Sequence, residues 1–143
     1  MCIRDSWREH GTAYATSMTT VAHALAASLD NLGVPVFAKA KGFTTSHQFA
    51  IEACNYGGGQ TASKVLRESG FLTCGIGLPV ASVEGDMNGI RIGASELVRW
   101  GVTEEHVPVL ADYISRSLGG EKGLAVEVAE YRKNFDQITF ING

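Results

Sequence analysis

Cysteine is scarce and unpaired in this chain. Cys2, Cys54 and Cys74 are its three cysteines, and none forms a CxxC pair. That spacing argues against a zinc site, and an unpaired set fits a reducing cytoplasm. No apolar run approaches the roughly 20 residues needed to span a bilayer. Basic excess is absent as well: 12 Lys and Arg stand against 15 Asp and Glu, a net charge of −3. A nucleic-acid or anionic-membrane partner is therefore not expected. Met1-Cys2-Ile3-Arg4-Asp5-Ser6 has no apolar core of a signal peptide, and Asp5 and Glu9 disfavour a transit peptide. There is no internal repeat and no low-complexity linker. What remains is 143 residues, 45% of them apolar. That is enough for one domain that buries roughly two-thirds of its unfolded surface.

The hydrophobic pattern sets the elements. Met18, Val21, Ala22, Leu25, Leu29 and Leu32 recur at spacings of three and four. They predict an amphipathic helix over about 12–32, closed by Gly33. Val34 to Phe37 reads as a short edge strand carrying Pro35. His47 to Ala53 alternates, with Phe49 and Ile51 on one face and Gln48, Ala50 and Glu52 on the other. After Gly57-Gly58-Gly59, a helix is expected over 60–69, with Ala62, Val65 and Leu66 inward. A brief strand over 72–74, a glycine-rich loop over 75–87 and a strand through Arg91 follow. The next helix carries Val107, Leu110, Ile114 and Leu118, with Thr103 as its N-cap and Pro108 as an awkward early residue. A last helix carries Leu124, Val128, Tyr131 and Phe135. The expected fold is α/β of the α+β kind: a small, mainly antiparallel sheet with helices packed on one face.

Gly89-Ile90-Arg91-Ile92-Gly93 is the segment with most to say about chemistry. Side chains alternate along a strand, so Ile90 and Ile92 face the core and Arg91 faces away. The flanking glycines clear space for another backbone or a ligand. Such a platform presents one planar cation, suited to gripping a carboxylate through two bonds. The plainer reading is an exposed strand arginine between ordinary glycines.

The longer stretch, GIRIGASELVRWG over 89–101, resembles the C-terminal domain of serine hydroxymethyltransferases and their pyridoxal-phosphate-dependent relatives. Ala94 stands where that family usually has threonine. The resemblance runs collinearly from about Tyr14 to about Leu118. It implies the smaller C-terminal domain of the aspartate-aminotransferase-like fold over 10–143, with the helix at about 12–32 leading into it. Residues 1–9 are then expected to be a non-native or disordered leader. Its first six residues look like adaptor sequence read as protein, on a truncated piece of a longer chain. The competing view is a genuine short protein with a disordered start. The resemblance also implies that Arg91 binds the substrate's carboxylate, that the parent acts on β-hydroxy amino acids in glycine, serine and one-carbon metabolism, and that it is a cytoplasmic homodimer at least.

Other candidates carry less. Gly57 to Lys64 lacks the Gly-Lys-Ser/Thr ending of a phosphate loop, though its amides could hold an anion at a helix start. His47 matches a family histidine but has no partner at readable spacing. Cys54 and Cys74 read as buried, inert thiols, and Trp100 as a packing residue. Pyridoxal phosphate needs a lysine, an acid for the ring nitrogen and a phosphate cradle. The family places these in its large domain, and none of Lys39, Lys41, Lys64, Lys122 and Lys133 lies in its lysine motif. No catalytic or cofactor-binding residue is therefore expected here, and the fragment alone should be inactive. Cys74 to Pro79 departs from the family's pattern except in its last pair, Leu78-Pro79, and Val83 to Asn88 departs from it in the segment that helps form the family's folate pocket. Glu84 and Asp86 would repel an anionic folate, which puts tetrahydrofolate in question. A folate-independent threonine-type aldolase or transaldolase, an aminotransferase-like enzyme and a non-enzymatic α/β module are the alternatives.

Overall fold

Helix α1 (Ile3–Asn31) is the longest element of the computed structural model, which describes residues 3–141. It buries Val21, Ala22, Leu25, Ala26 and Leu29, one stripe at helical spacing. Its end is a Schellman turn: Gly33 N–H donates to Asp30 C=O and Val34 N–H donates to Leu29 C=O, with Gly33 at φ 84°. The helix begins nine residues before the expected position. Residues 3–9 of the expected leader continue it, while Met1 and Cys2 lie outside the described residues.

Three strands form one antiparallel sheet in the order β1-β3-β2. They are β1 (Gln48–Glu52), β2 (Cys74–Ile76) and β3 (Gly89–Gly93). In register, Phe49 pairs with Ile92 and Ile51 with Ile90. All four side chains are buried on the helix-covered face. Helix α2 (Gly59–Glu68) packs against β2 and β3, with Ala62 and Leu66 buried. Helix α3 (Ser95–Arg99) follows β3 directly. Helix α4 (Val107–Leu118) lies on α1 through Val107, Leu110, Ala111, Ile114 and Leu118, and α5 (Leu124–Arg132) closes that side with Leu124. The expected α+β architecture, a small antiparallel sheet with helices on one face, is the one observed.

Four local expectations need correcting. Val34–Phe37 is no strand; it makes a single bridge, Val36 to Ile51, beside β1. Pro35 offers a carbonyl to Glu52 N–H but has no N–H to return, so no regular ladder extends through it. The brief strand is Cys74–Ile76, two residues later than expected, because Gly75 is the residue that can lie under α2. Val65 is only half-buried. Thr103 does cap, within a box in which its N–H donates to His106 Nδ1 at 3.0 Å, but it starts a 3-10 turn over Glu104–His106 that leads into α4.

Candidate substrate-carboxylate site

Arg91 sits at the centre of the sheet's uncovered face. Its cross-strand neighbours are Ala50 on β1 and Cys74 on β2, and Gly89 and Gly93 share its face along β3. Small side chains thus surround one long cation, because the pleat sends the bulky Ile90 and Ile92 the other way. Arg91 is exposed and makes no hydrogen bond or ion pair within the described residues. Arg116 shows the contrast: it is held by Asp112, Glu121 and Glu127. Arg132 is likewise engaged, stacking over Trp100 at 4.7 Å and bonding the Phe135 carbonyl. Gln48 and Glu52 lie on Arg91's face too, opposite Gly93 and Gly89. With its fork free, Arg91 can take an incoming carboxylate through two parallel bonds.

The loop before β3 is fastened by two side chains that local sequence patterns do not expose. Asp86 accepts from Gln60 N–H at 2.8 Å, Thr61 N–H at 3.0 Å, the Thr61 hydroxyl at 2.7 Å and Met87 N–H at 2.6 Å. The anion that the start of α2 could hold is therefore the protein's own Asp86. Those donors bring its carboxyl down from its ordinary 3.8 to about 2, the Gln60 N–H contributing most. Asp86 is thus occupied as a helix cap and stays ionised at neutral pH. Asn88, buried at 8% exposure, accepts from Leu78 N–H at 2.7 Å and donates toward the carbonyls of Leu78, Val80 and Ala81.

The Asp86 cap predicts a pH dependence. Its folded pKa lies below its unfolded one, so its stabilisation is complete above about pH 4 and disappears as pH falls through about 2. Melting curves of the wild type and of Asp86→Asn should separate near neutrality, with the variant less stable, and converge across that window. A constant gap down to pH 2 would refute the cap's electrostatic role.

Of the remaining candidates, Cys74 is paired with Arg91 across the sheet, whereas His47, Cys54 and Trp100 are not. His47 is exposed at the start of β1; its carbonyl accepts Ala94 N–H at 2.8 Å, tying β1 to the residue after β3. Cys54 is exposed and Cys74 half-buried on the Arg91 face, so neither is the buried thiol expected. Trp100 packs against the core as expected. No lysine lies on any of the three strands. Lys39 pairs with Asp30, Lys122 with Glu68 and Lys133 with Glu130, all on the surface. The described residues offer no group of three or more metal-ligating side chains, and no helix among them is long and apolar enough to cross a membrane. Lys41 and Lys64 are exposed as well, and the amides at the start of α2 are taken by Asp86.

No family model matches the chain. It is 54% identical over 136 residues to an alpha-methylserine aldolase of Variovorax paradoxus and 46% identical over 138 residues to one of a Ralstonia species. It is 35% identical over 137 residues to the serine hydroxymethyltransferase of Archaeoglobus fulgidus. These matches take in 92% or 94% of the chain but only 31% or 32% of each relative, so it spans about a third of their length. L-Threonine transaldolase from Pseudomonas fluorescens has the same fold, with a TM-score of 0.81 at 23% identity over 95% of this chain and 32% of that one. The chain is thus similar to alpha-methylserine aldolases and serine hydroxymethyltransferases, and the match fits a C-terminal part of an enzyme of that kind.

Proposed function

We propose that the parent protein is a pyridoxal-phosphate aldolase that cleaves or forms the Cα–Cβ bond of a β-hydroxy amino acid without folate. This chain supplies the arginine that holds the substrate's carboxylate. The observation that carries the reading is Arg91, an exposed strand cation with no partner among the described residues, in a chain about half identical to alpha-methylserine aldolases. Pyridoxal phosphate supplies an electron sink at the α-carbon, and residues outside this chain bind it. Arg91 would fix the position of the carboxylate and with it the rotation about the Cα–N bond, so that the Cα–Cβ bond is the one presented for cleavage. The folate-free reading draws on Val83 to Asn88, which departs from the hydroxymethyltransferase pattern and is fastened through Asp86 and Asn88. A homodimer in the reducing cytoplasm completes the proposal, and Cys54 and Cys74, both free among the described residues, suit that compartment.

Two measurements test it. Full-length enzyme should release aldehyde from alpha-methylserine or serine at the same rate with and without tetrahydrofolate; an absolute requirement for folate would restore the hydroxymethyltransferase reading. The isolated chain, incubated with pyridoxal phosphate and then borohydride, should show no stoichiometric adduct on one lysine. A single labelled lysine would place cofactor binding in this part of the protein.

A further inference from the structure

β2 reaches along β3 only as far as Arg91. Cys74 pairs with Arg91, Gly75 with Ile90 and Ile76 with Gly89, whereas Ile92 and Gly93 have partners on β1 alone. Just past the cation, β3 therefore keeps one of its two ladders. It runs on through Ala94 into α3, a helix of five residues. A helix this short is not stable by itself, so its place is set by what holds it.

Long-range bonds hold it at both ends. Ala94 N–H donates to the His47 carbonyl at 2.8 Å, which ties the turn to β1. At the far end the Thr139 hydroxyl donates to the Val98 carbonyl at 2.8 Å. At the near end the Tyr14 hydroxyl donates to the Ser95 carbonyl at 3.0 Å. Tyr14 lies on α1, so this bond joins the exit of β3 to the longest helix of the fold. The tyrosine ring is itself fixed. Phe140 stacks on it with centroids 5.4 Å apart, and Trp7 lies against it at 6.1 Å. Burial raises its hydroxyl above the ordinary range, and the Glu96 carboxylate adds to this, so the bonding proton stays in place at neutral pH.

A grip through two parallel bonds needs its guanidinium placed to within about 0.5 Å. We infer that Tyr14 is a positioning residue for Arg91. By holding the Ser95 carbonyl to α1 it fixes the end of β3, and with it the backbone from which Arg91 reaches the substrate carboxylate. It acts through the main chain, Ser95 being four residues from Arg91. This rests on the assignment of Arg91 to the substrate carboxylate.

The test uses full-length holoenzyme and two ligands, alanine and alaninamide, titrated by their effect on the cofactor's absorbance. They share every group except the carboxylate, and the ratio of their affinities cancels any loss of folded protein. Tyr14→Phe keeps the ring and its stacking and removes only the hydroxyl. It should weaken alanine about two- to tenfold, the range one neutral hydrogen bond supplies, and leave alaninamide unchanged. Arg91→Ala should weaken alanine further and also spare alaninamide. Adding Tyr14→Phe to Arg91→Ala should cost alanine nothing more, because the group being positioned is gone. If Tyr14→Phe weakens both ligands alike, or neither, Tyr14 is a structural contact and the inference fails; the carboxylate assignment stands as long as Arg91→Ala lowers the ratio. If Arg91→Ala leaves the ratio unchanged, the carboxylate assignment fails and the role of Tyr14 fails with it.

Discussion

Arg91→Ala in the full-length enzyme is expected to weaken amino-acid binding by about a hundredfold or more while leaving cofactor occupancy near wild type. The magnitude follows from the bonds at stake. A charge-assisted hydrogen bond contributes about 1.5–3 kcal/mol, or roughly ten- to a hundredfold, and a fork that grips a carboxylate makes two. Arg91 makes no ion pair within the described residues, so its removal breaks nothing inside this fold and leaves no buried partner orphaned. The loss should therefore appear in substrate affinity and not in stability. Arg91→Lys keeps the charge but not the planar fork, and about a tenfold loss is expected. Equilibrium titration with amino acid, alongside the cofactor's absorbance and a melting curve, separates these effects. Unchanged substrate affinity in Arg91→Ala would return Arg91 to the status of an ordinary surface arginine.

The placement of Arg91 is legible in the sequence because it depends on a local rule. Alternation along β3 puts Ile90 and Ile92 inward and the arginine outward whatever the rest of the chain does, and the register with Phe49 and Ile51 follows the same pattern. The buried stripe of α1 is equally legible, since Val21, Ala22, Leu25 and Leu29 mark one helical face. What surrounds the arginine is not. Asp86 caps a helix through Gln60, 26 residues earlier in the chain, and no capping signature spans that gap. Asn88 works by folding back on Leu78, ten residues away, so its role belongs to the path of the loop and not to any periodicity. The start of α1 escapes the pattern for a related reason. Its first turns lie outside the apolar stripe, and Gly11 weakens the periodicity, yet Trp7 and Tyr14 pack ring to ring across them at 6.1 Å. Cys74 reads as a buried thiol because cysteine is usually apolar in its placement; the sheet's uncovered face leaves it half-open beside Arg91.

Gly59→Ala should be the most damaging single-carbon change in the chain. A Cβ at that position would lie 2.1 Å from the Gly89 carbonyl oxygen and 3.1 Å from Gly75 Cα. These obstacles are backbone, so no rotamer change relieves them. The first turn of α2 would have to lift off β2 and β3. Lifting it strains the Gly59 N–H bond to the Met87 carbonyl and the Gln60 and Thr61 bonds to Asp86, so the loop before β3 moves with the helix. Overpacking alone costs about 1–3 kcal/mol, and backbone contacts place this case at or above the upper end. The same displacement shifts Leu78 and the start of β3, so amino-acid affinity in the full-length enzyme should fall although Arg91 is intact. Gly93→Ala is the matched control. It lies on the same strand with nothing within 4 Å of its would-be Cβ, and its stability should change by less than about 0.5 kcal/mol. Denaturant midpoints of the two variants decide the matter. Equal midpoints would mean that α2 does not press on the sheet at Gly59, and the close approach that holds the loop beside Arg91 would lose its support.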